Sequence, residues 1–416
     1  MLGKTISVVV LAVSLGVIGT SPSLAAGPRT IGTGGWTNTN ADAAQSRANL
    51  SEQVLSPAAV PNVQYLRSIS SPIIKPSAPC PGNIVAPLPT AGSLYAMTND
   101  LLSKYDPATG KLIWRVNPDP SFTEIYQSLA ISRGLVVVGG IECDTVSQPA
   151  GFLKAFNAAT GAVAWTGYAP EGLNQAVTVG TSYVVAEGAD AAGSDVAVLN
   201  LNDGTLLWHQ FGCLNSDSPN DPVVVGHMVL GYGCDNQGGA TIEARHIATG
   251  TLAWSLPAGW VIQRGDLAGS AGAHLYATNP SGAVVDLNPQ TGQVVYTLNN
   301  AATVLAVDAM RVYAICGHQS LGHTQICAYS ISTGSLQWKK SLFTSVISMK
   351  RAAEADGVLY LATGQALNAS TGQVIGNVWG LGTYNFHAPS AMAVGDGRIA
   401  VAGDPRVLDL YGLPGS

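Results

Sequence analysis

Seven times this chain repeats one short pattern, a polar residue, three more residues and a glycine, and in six of the seven a large aromatic stands four residues on. The clearest copy runs Asp106-Pro107-Ala108-Thr109-Gly110 and reaches Trp114. The other glycines are Gly161, Gly204, Gly250, Gly292, Gly334 and Gly372. Their turn-entry residues are Asn157, Asn200, His246, Asn288, Ser330 and Asn368. The aromatics that follow are Trp165, Trp208, Trp254, Tyr296 and Trp338, and the pattern fails at Gly376. The glycines recur about every 44 residues. A period near forty that carries several short strands marks a β-propeller.

Each copy reads as strand, tight turn, strand. Leu153-Lys154-Ala155-Phe156 leads into the Asn157–Gly161 turn, and Ala162-Val163-Ala164-Trp165 leads out. Asn, Asp or Ser at the entry can bond its side chain to backbone N–H groups further along. Glycine at the exit suits the left-handed conformation of a hairpin built on a type I turn with a bulge. Side chains alternate along a strand, so Leu112 and Trp114 share a face. The six aromatics, Trp114, Trp165, Trp208, Trp254, Tyr296 and Trp338, are expected to be buried core that docks one blade on the next. His246 fills a turn-entry slot and is read as structural.

The stretch from Val60 to Leu413 accommodates eight such units at typical repeat lengths, with seven blades as the alternative. Arg398–Gly403 and Arg406–Gly412 read as strands. Val63–Ile69 reads as an outer strand without its own hairpin. Pairing it with 406–412 would close the ring and protect both edges. The expected fold is therefore an all-β, eight-bladed propeller of four-stranded blades closed by its N- and C-terminal strands.

The run Lys104-Tyr105-Asp106-Pro107-Ala108-Thr109-Gly110-Lys111-Leu112-Ile113-Trp114 resembles the repeat of the pyrroloquinoline-quinone (PQQ)-like, or quinoprotein-type, propellers. Asn49–Glu52 and Leu55–Val60 resemble the lead-in of such proteins, and Leu408–Leu413 resembles their closing strand. The resemblance implies eight four-stranded blades. It does not imply bound quinone, because many relatives keep the repeat as a scaffold, among them assembly factors of the bacterial outer membrane.

Lys4, an apolar run from Ile6 to Ile18 and Ser23-Leu24-Ala25-Ala26 read as a secretory signal peptide over 1–26. The run is shorter than the ~20 residues of a spanning helix, and no membrane span is expected elsewhere. Residues 27–60 are small and polar and read as a mobile lead-in; 61–416 form the propeller. Charged residues make up only 11% of the chain, with net charge −6, which excludes a basic nucleic-acid footprint. The protein is expected to be secreted, extracellular or periplasmic, and monomeric.

Six cysteines in an exported chain point to disulfides, although six allow 15 pairings. With inner-to-outer strands A to D, the glycine turns join C to D. Cys143, Cys234, Cys316 and Cys327 then fall at B–C loops, and Cys80 and Cys213 at D–A loops, all on the opposite face. The nearest pairings are 213–234 and 316–327, leaving 80–143. That face also carries the insertions Glu142–Ala150, Asn215–Asp221 and Gly317–Thr324. Variable loops on a rigid scaffold are where binding usually sits. The candidate binding residues are Glu142, Asp144, Asp217, Asp221, Asp235, Asn236, His318 and His323.

An oxidoreductase reading would need PQQ, a calcium ion on carboxylate and amide oxygens, and a carboxylate base. The chain has no adjacent cysteine pair, and none of these loop carboxylates matches the family's site by spacing. Cys316, His318, His323 and Cys327 have a spacing that zinc could use, but export favours a disulfide-closed hairpin. Asn49-Leu50-Ser51 and Asn368-Ala369-Ser370 match the glycosylation sequon. No catalytic residue, metal or cofactor is assigned. The sequence supports a non-catalytic scaffold that binds a protein or small ligand through the cysteine-bearing face. The alternative is a calcium- and PQQ-dependent oxidoreductase of alcohols or sugars.

Overall fold

The structure, a computed structural model, describes residues 35–70, 87–98, 101–118, 124–142, 151–168, 174–189, 194–212, 222–234, 239–263, 270–271, 274–320, 323–342, 352–379, 391–404 and 407–415. Among these, everything regular is strand except a single 3-10 turn, Val60–Asn62. The strands form eight sheets. Blades 1 to 7 occupy 88–116, 124–167, 174–212, 223–256, 261–297, 301–342 and 352–377. Blade 8 combines Ala391–Gly395, Arg398–Asp404 and Val407–Gly412 with the N-terminal strand Gln64–Ser70 as its outermost member. Gln64 pairs with Gly412 and Ser70 with Val407, so the ring closes between the chain's two ends.

The repeat becomes a physical joint. In blade 2 the Asn157 carboxamide oxygen accepts the N–H groups of Ala159 at 2.9 Å and Thr160 at 3.1 Å. The Gly161 N–H donates to the Asn157 carbonyl at 2.8 Å, and Gly161 has φ +75°, where a side chain would be strained. The preceding blade's aromatic lies against this glycine. A Cβ on Gly161 would stand 2.9 Å from the Trp114 ring, and one on Gly204 would stand 2.6 Å from Trp165. Each aromatic also donates to the carbonyl just after the next blade's turn-entry residue. Trp114 bonds Ala158 at 3.2 Å, Trp165 bonds Leu201 at 2.8 Å, and Trp208 bonds Ile247 at 2.7 Å. Trp254 bonds Pro289 at 2.8 Å, the Tyr296 hydroxyl bonds Ile331 at 2.6 Å, and Trp338 bonds Ala369 at 3.0 Å. The expectation of full burial needs correction. Only Trp165 is buried, at 8% exposure; the other five are half-buried.

The failure of the pattern at Gly376 has a structural cause. A Cβ there would meet Val60 at 2.8 Å, so the lead-in supplies the apolar contact that an aromatic supplies elsewhere. At the last joint Arg67 of the closing strand takes the aromatic's place. Its stem lies 2.8 Å from where a Gly110 Cβ would be, and its guanidinium donates to the Ala108 carbonyl at 2.6 Å.

Two further sequence expectations are overturned. Residues 35–60 are not a mobile tether: Trp36, Gln45 and Leu55 are fully buried, and Asn38, Asn40, Ser46, Arg47, Asn49 and Glu52 are nearly so. The insertion read at 317–324 is largely strand. Arg311–Ser320 and His323–Ser330 form one long hairpin, irregular between Cys316 and Ser320. The signal-peptide residues lie outside the described residues.

Candidate functional site

Inner strands line the axis of a propeller, so whatever bonds several of them must lie on that axis. Residues 35–52 do this. The Trp36 N–H donates to Pro89 of blade 1 at 2.9 Å, and the Ile131 N–H of blade 2 donates to Thr37 at 2.8 Å. Asn38 accepts the Val179 N–H of blade 3 at 2.8 Å and returns a bond to its carbonyl at 3.3 Å. The N–H groups of Val224, Val307 and Glu354, from blades 4, 6 and 7, reach the carbonyls of Ala43, Ser46 and Arg47 at 2.8, 2.9 and 2.9 Å. The Asn49 amide donates to Val394 of blade 8 at 2.9 Å. Ala48–Asn49 adds a parallel strand to Ala352–Ala355.

Most of these partners, such as Ile131, Val179, Val307 and Val394, lie at the ends of inner strands next to the A–B turns. The A–B and glycine turns share one face, so the segment crosses the hairpin-turn end of the axis. The composition that reads as a linker suits this place. Small polar residues can satisfy converging strand edges that would otherwise bury unpaired backbone groups.

The charges at this end are internally engaged. Arg47 is 3% exposed and donates to the Ala352 carbonyl and to Asn40 Oδ1, both at 2.8 Å. Burial raises the Asp42 carboxyl above its ordinary range, opposed by hydrogen bonds from the Ser46 N–H and hydroxyl. Burial, reinforced by the Asp308 charge, pushes Glu354 up to about 8. Glu354 accepts the Gly357 N–H at 2.9 Å. Asp308 accepts the N–H groups of Met310 and Arg311 and the Tyr313 hydroxyl, each at 2.6 Å. Glu52 accepts Val54 at 2.8 Å and Gly397 at 3.0 Å. These carboxyl groups fasten turns. Among the described residues no three His, Cys, Asp or Glu side chains converge as metal ligands. At this end of the axis the charged side chains are taken up by the chain's own segment, while Gln45 Oε1 and Thr39 Oγ1 are buried without a hydrogen-bond partner.

Of the sequence candidates, Glu142 ends the strand Leu135–Glu142, in register with Glu124. His318 lies on Arg311–Ser320. His323 opens the next strand, paired with Ser320, its side chain exposed. Asp144, Asp217, Asp221, Asp235, Asn236, Cys80, Cys143 and Cys213 lie outside the described residues. Cys316 and Cys327 form a disulfide with Cα atoms 5.9 Å apart. Both are buried, inside the paired strands rather than at a loop. Cys234 is also disulfide-bonded, with a partner outside the described residues. Sequence reasoning missed the axial segment. Trp36, isolated in a polar stretch, was the available signal. The sequon at Asn49 is closed to modification in this fold, since Asn49 is 4% exposed and doubly engaged.

A family model described as outer membrane protein assembly factor BamB matches residues 98–257 and 238–379. Comparison with curated protein sequences gives no match. Among solved structures, BamB from Moraxella catarrhalis is 18% identical, with TM-score 0.57 over 85% of this chain and 98% of that one. Quinohemoprotein alcohol dehydrogenase from Comamonas testosteroni is 14% identical, with TM-score 0.59 over 92% and 81%. A europium-containing methanol dehydrogenase is 13% identical, with TM-score 0.59 over 92% and 99%. At these identities the structures share the fold.

Proposed function

The chain belongs to the PQQ-like propeller family whose model is described as outer membrane protein assembly factor BamB, and from that premise we propose that it is an exported, non-catalytic scaffold that binds a protein through its B–C and D–A loop face. The observation that carries this reading is the axial segment. Residues 35–52 occupy the hairpin-turn end of the axis, bonded to the blades through their backbone and through side chains such as Asn38 and Arg47. A partner is left the opposite face, where the chain spends its length variation. The disulfides at Cys316–Cys327 and Cys234 support an oxidising compartment. The test loads the exported protein with PQQ and calcium and follows its spectrum and dye-linked oxidation of alcohols and sugars. No stoichiometric uptake and no turnover are expected. Uptake with turnover would replace this reading with the oxidoreductase one. Photo-crosslinkers at His323 and, on the turn face, at Thr333 complete the test, with capture expected from His323 alone.

A further inference from the structure

Every blade exposes its outermost strand, and such edges invite pairing with another chain unless charge or shortness guards them. Three of the eight outer strands are seven residues long: Gln64–Ser70, Leu206–Gly212 and Leu336–Leu342. The first carries Arg67 at its centre, and the third carries Lys339 and Lys340. Leu206–Gly212, on blade 3, contains no Lys, Arg, Asp or Glu. It pairs only with Ser194–Asn200 among the described residues.

Blades 3 and 6 show the same burial pattern along this strand, so their positions correspond one to one. Where blade 6 turns Gln337, Lys339 and Ser341 outward, blade 3 turns out Leu207, His209 and Phe211. Leu207 is 50% exposed, Phe211 57% and the His209 side chain 52%.

We infer that Leu206–Gly212 pairs antiparallel with the same strand of a second copy of this chain, across a two-fold axis at His209. On such an axis the central residue meets itself, and residues equally far on either side exchange partners. Leu207 then faces the other copy's Phe211 in both directions, an aliphatic–aromatic pair of the kind that stabilises antiparallel strands. The same arrangement would set Lys339 on Lys339 in blade 6, and Arg67 on Arg67 in blade 8, like charges that oppose pairing. His209 is the one central residue of the three that is not a permanent cation. It also brings its own carboxylate. Asp195 Oδ1 lies 3.4 Å from His209 Nδ1, and the other Asp195 oxygen accepts the Tyr168 hydroxyl at 2.9 Å. The Tyr168 ring lies 5.4 Å from the imidazole. Seven residues span only ~24 Å of strand, a ribbon too narrow to bury the roughly 1,200 Å² of a stable interface, so the dimer forms reversibly with concentration. This inference does not depend on the loop-face reading.

Sedimentation of the full chain over a range of concentrations should show a monomer–dimer equilibrium. His209→Lys should move its midpoint at least ~10-fold higher. Blade 6 carries lysine at the corresponding position, so the variant should keep its fold and melting temperature. His209→Cys should crosslink to a dimer under mild oxidation, whereas Lys339→Cys should not. A chain that stays monomeric throughout, including one whose strand pairs only with a different protein, overturns the inference. So does a dimer indifferent to His209→Lys, or crosslinking at both cysteines or at neither.

Discussion

Six of the eight joints between blades are alike, and two are not. In the six, one aromatic lies against the next blade's glycine and donates to the neighbouring carbonyl. Everything such a joint needs sits within about one repeat of sequence. In the other two, Val60 fills the slot at Gly376 and Arg67 fills the one at Gly110. Both come from the N-terminal stretch that follows the axis-crossing residues. Repetition can extend a ring, but it cannot end one: the last blade has no successor in sequence, so the first residues of the domain must return to serve it.

The largest test of this contrast is a regular joint. Trp165→Ala removes a buried ring and is expected to cost ~3–5 kcal/mol, read by chemical denaturation. An unchanged midpoint would mean that the aromatic is not what holds blades 2 and 3 together. Next comes the axial segment. Arg47→Ala removes the bonds to the Ala352 carbonyl and Asn40 Oδ1 and should cost about 2–3 kcal/mol. If it cost nothing, closure would rest on strand pairing alone. Arg67→Ala, at the rim, should cost about 1 kcal/mol, while Arg67→Trp, which writes the regular joint into the closing strand, should cost less. The smallest effect lies in pH dependence. Glu354 holds its proton up to about 8 in the folded chain and loses it near 4.5 when unfolded. Between those values the folded state binds more protons, so stability falls as pH rises. Glu354→Gln should flatten that slope, and a variant as pH-sensitive as the parent would locate the titrating group elsewhere.

The blades and the closing strand were legible because both obey local rules: Asn157 and Gly161 declare a turn, and Gln64–Ser70 is a strand without a hairpin. The axial segment was not. Asn38, Gln45 and Arg47 look like linker residues until the strand edges they satisfy are brought around them, and those edges lie hundreds of positions away. The long hairpin at 311–330 was misread for a related reason. Gly317, with φ +71°, looks like a loop opening but is an irregularity within a strand. For the candidate site, sequence anticipated the Cys316–Cys327 disulfide, while most of the candidate carboxylates fall outside the described residues.

The axial segment has a consequence for how the chain acquires its shape. Asn49 and its partner Val394 are 345 residues apart, and the closing strand Gln64–Ser70 comes soon after the segment. What is synthesised first can therefore be housed only when nearly the last residue has been made. The entropic toll of joining such distant ends grows only logarithmically with length, but contacts of such long range slow folding. Throughout that interval Trp36 and Leu55 have no interior to enter, and the last blade presents a bare margin. A nascent chain of this design has to be kept from aggregation and proteolysis until its final strand arrives, and a truncation near residue 400 would forfeit the beginning of the protein along with its end.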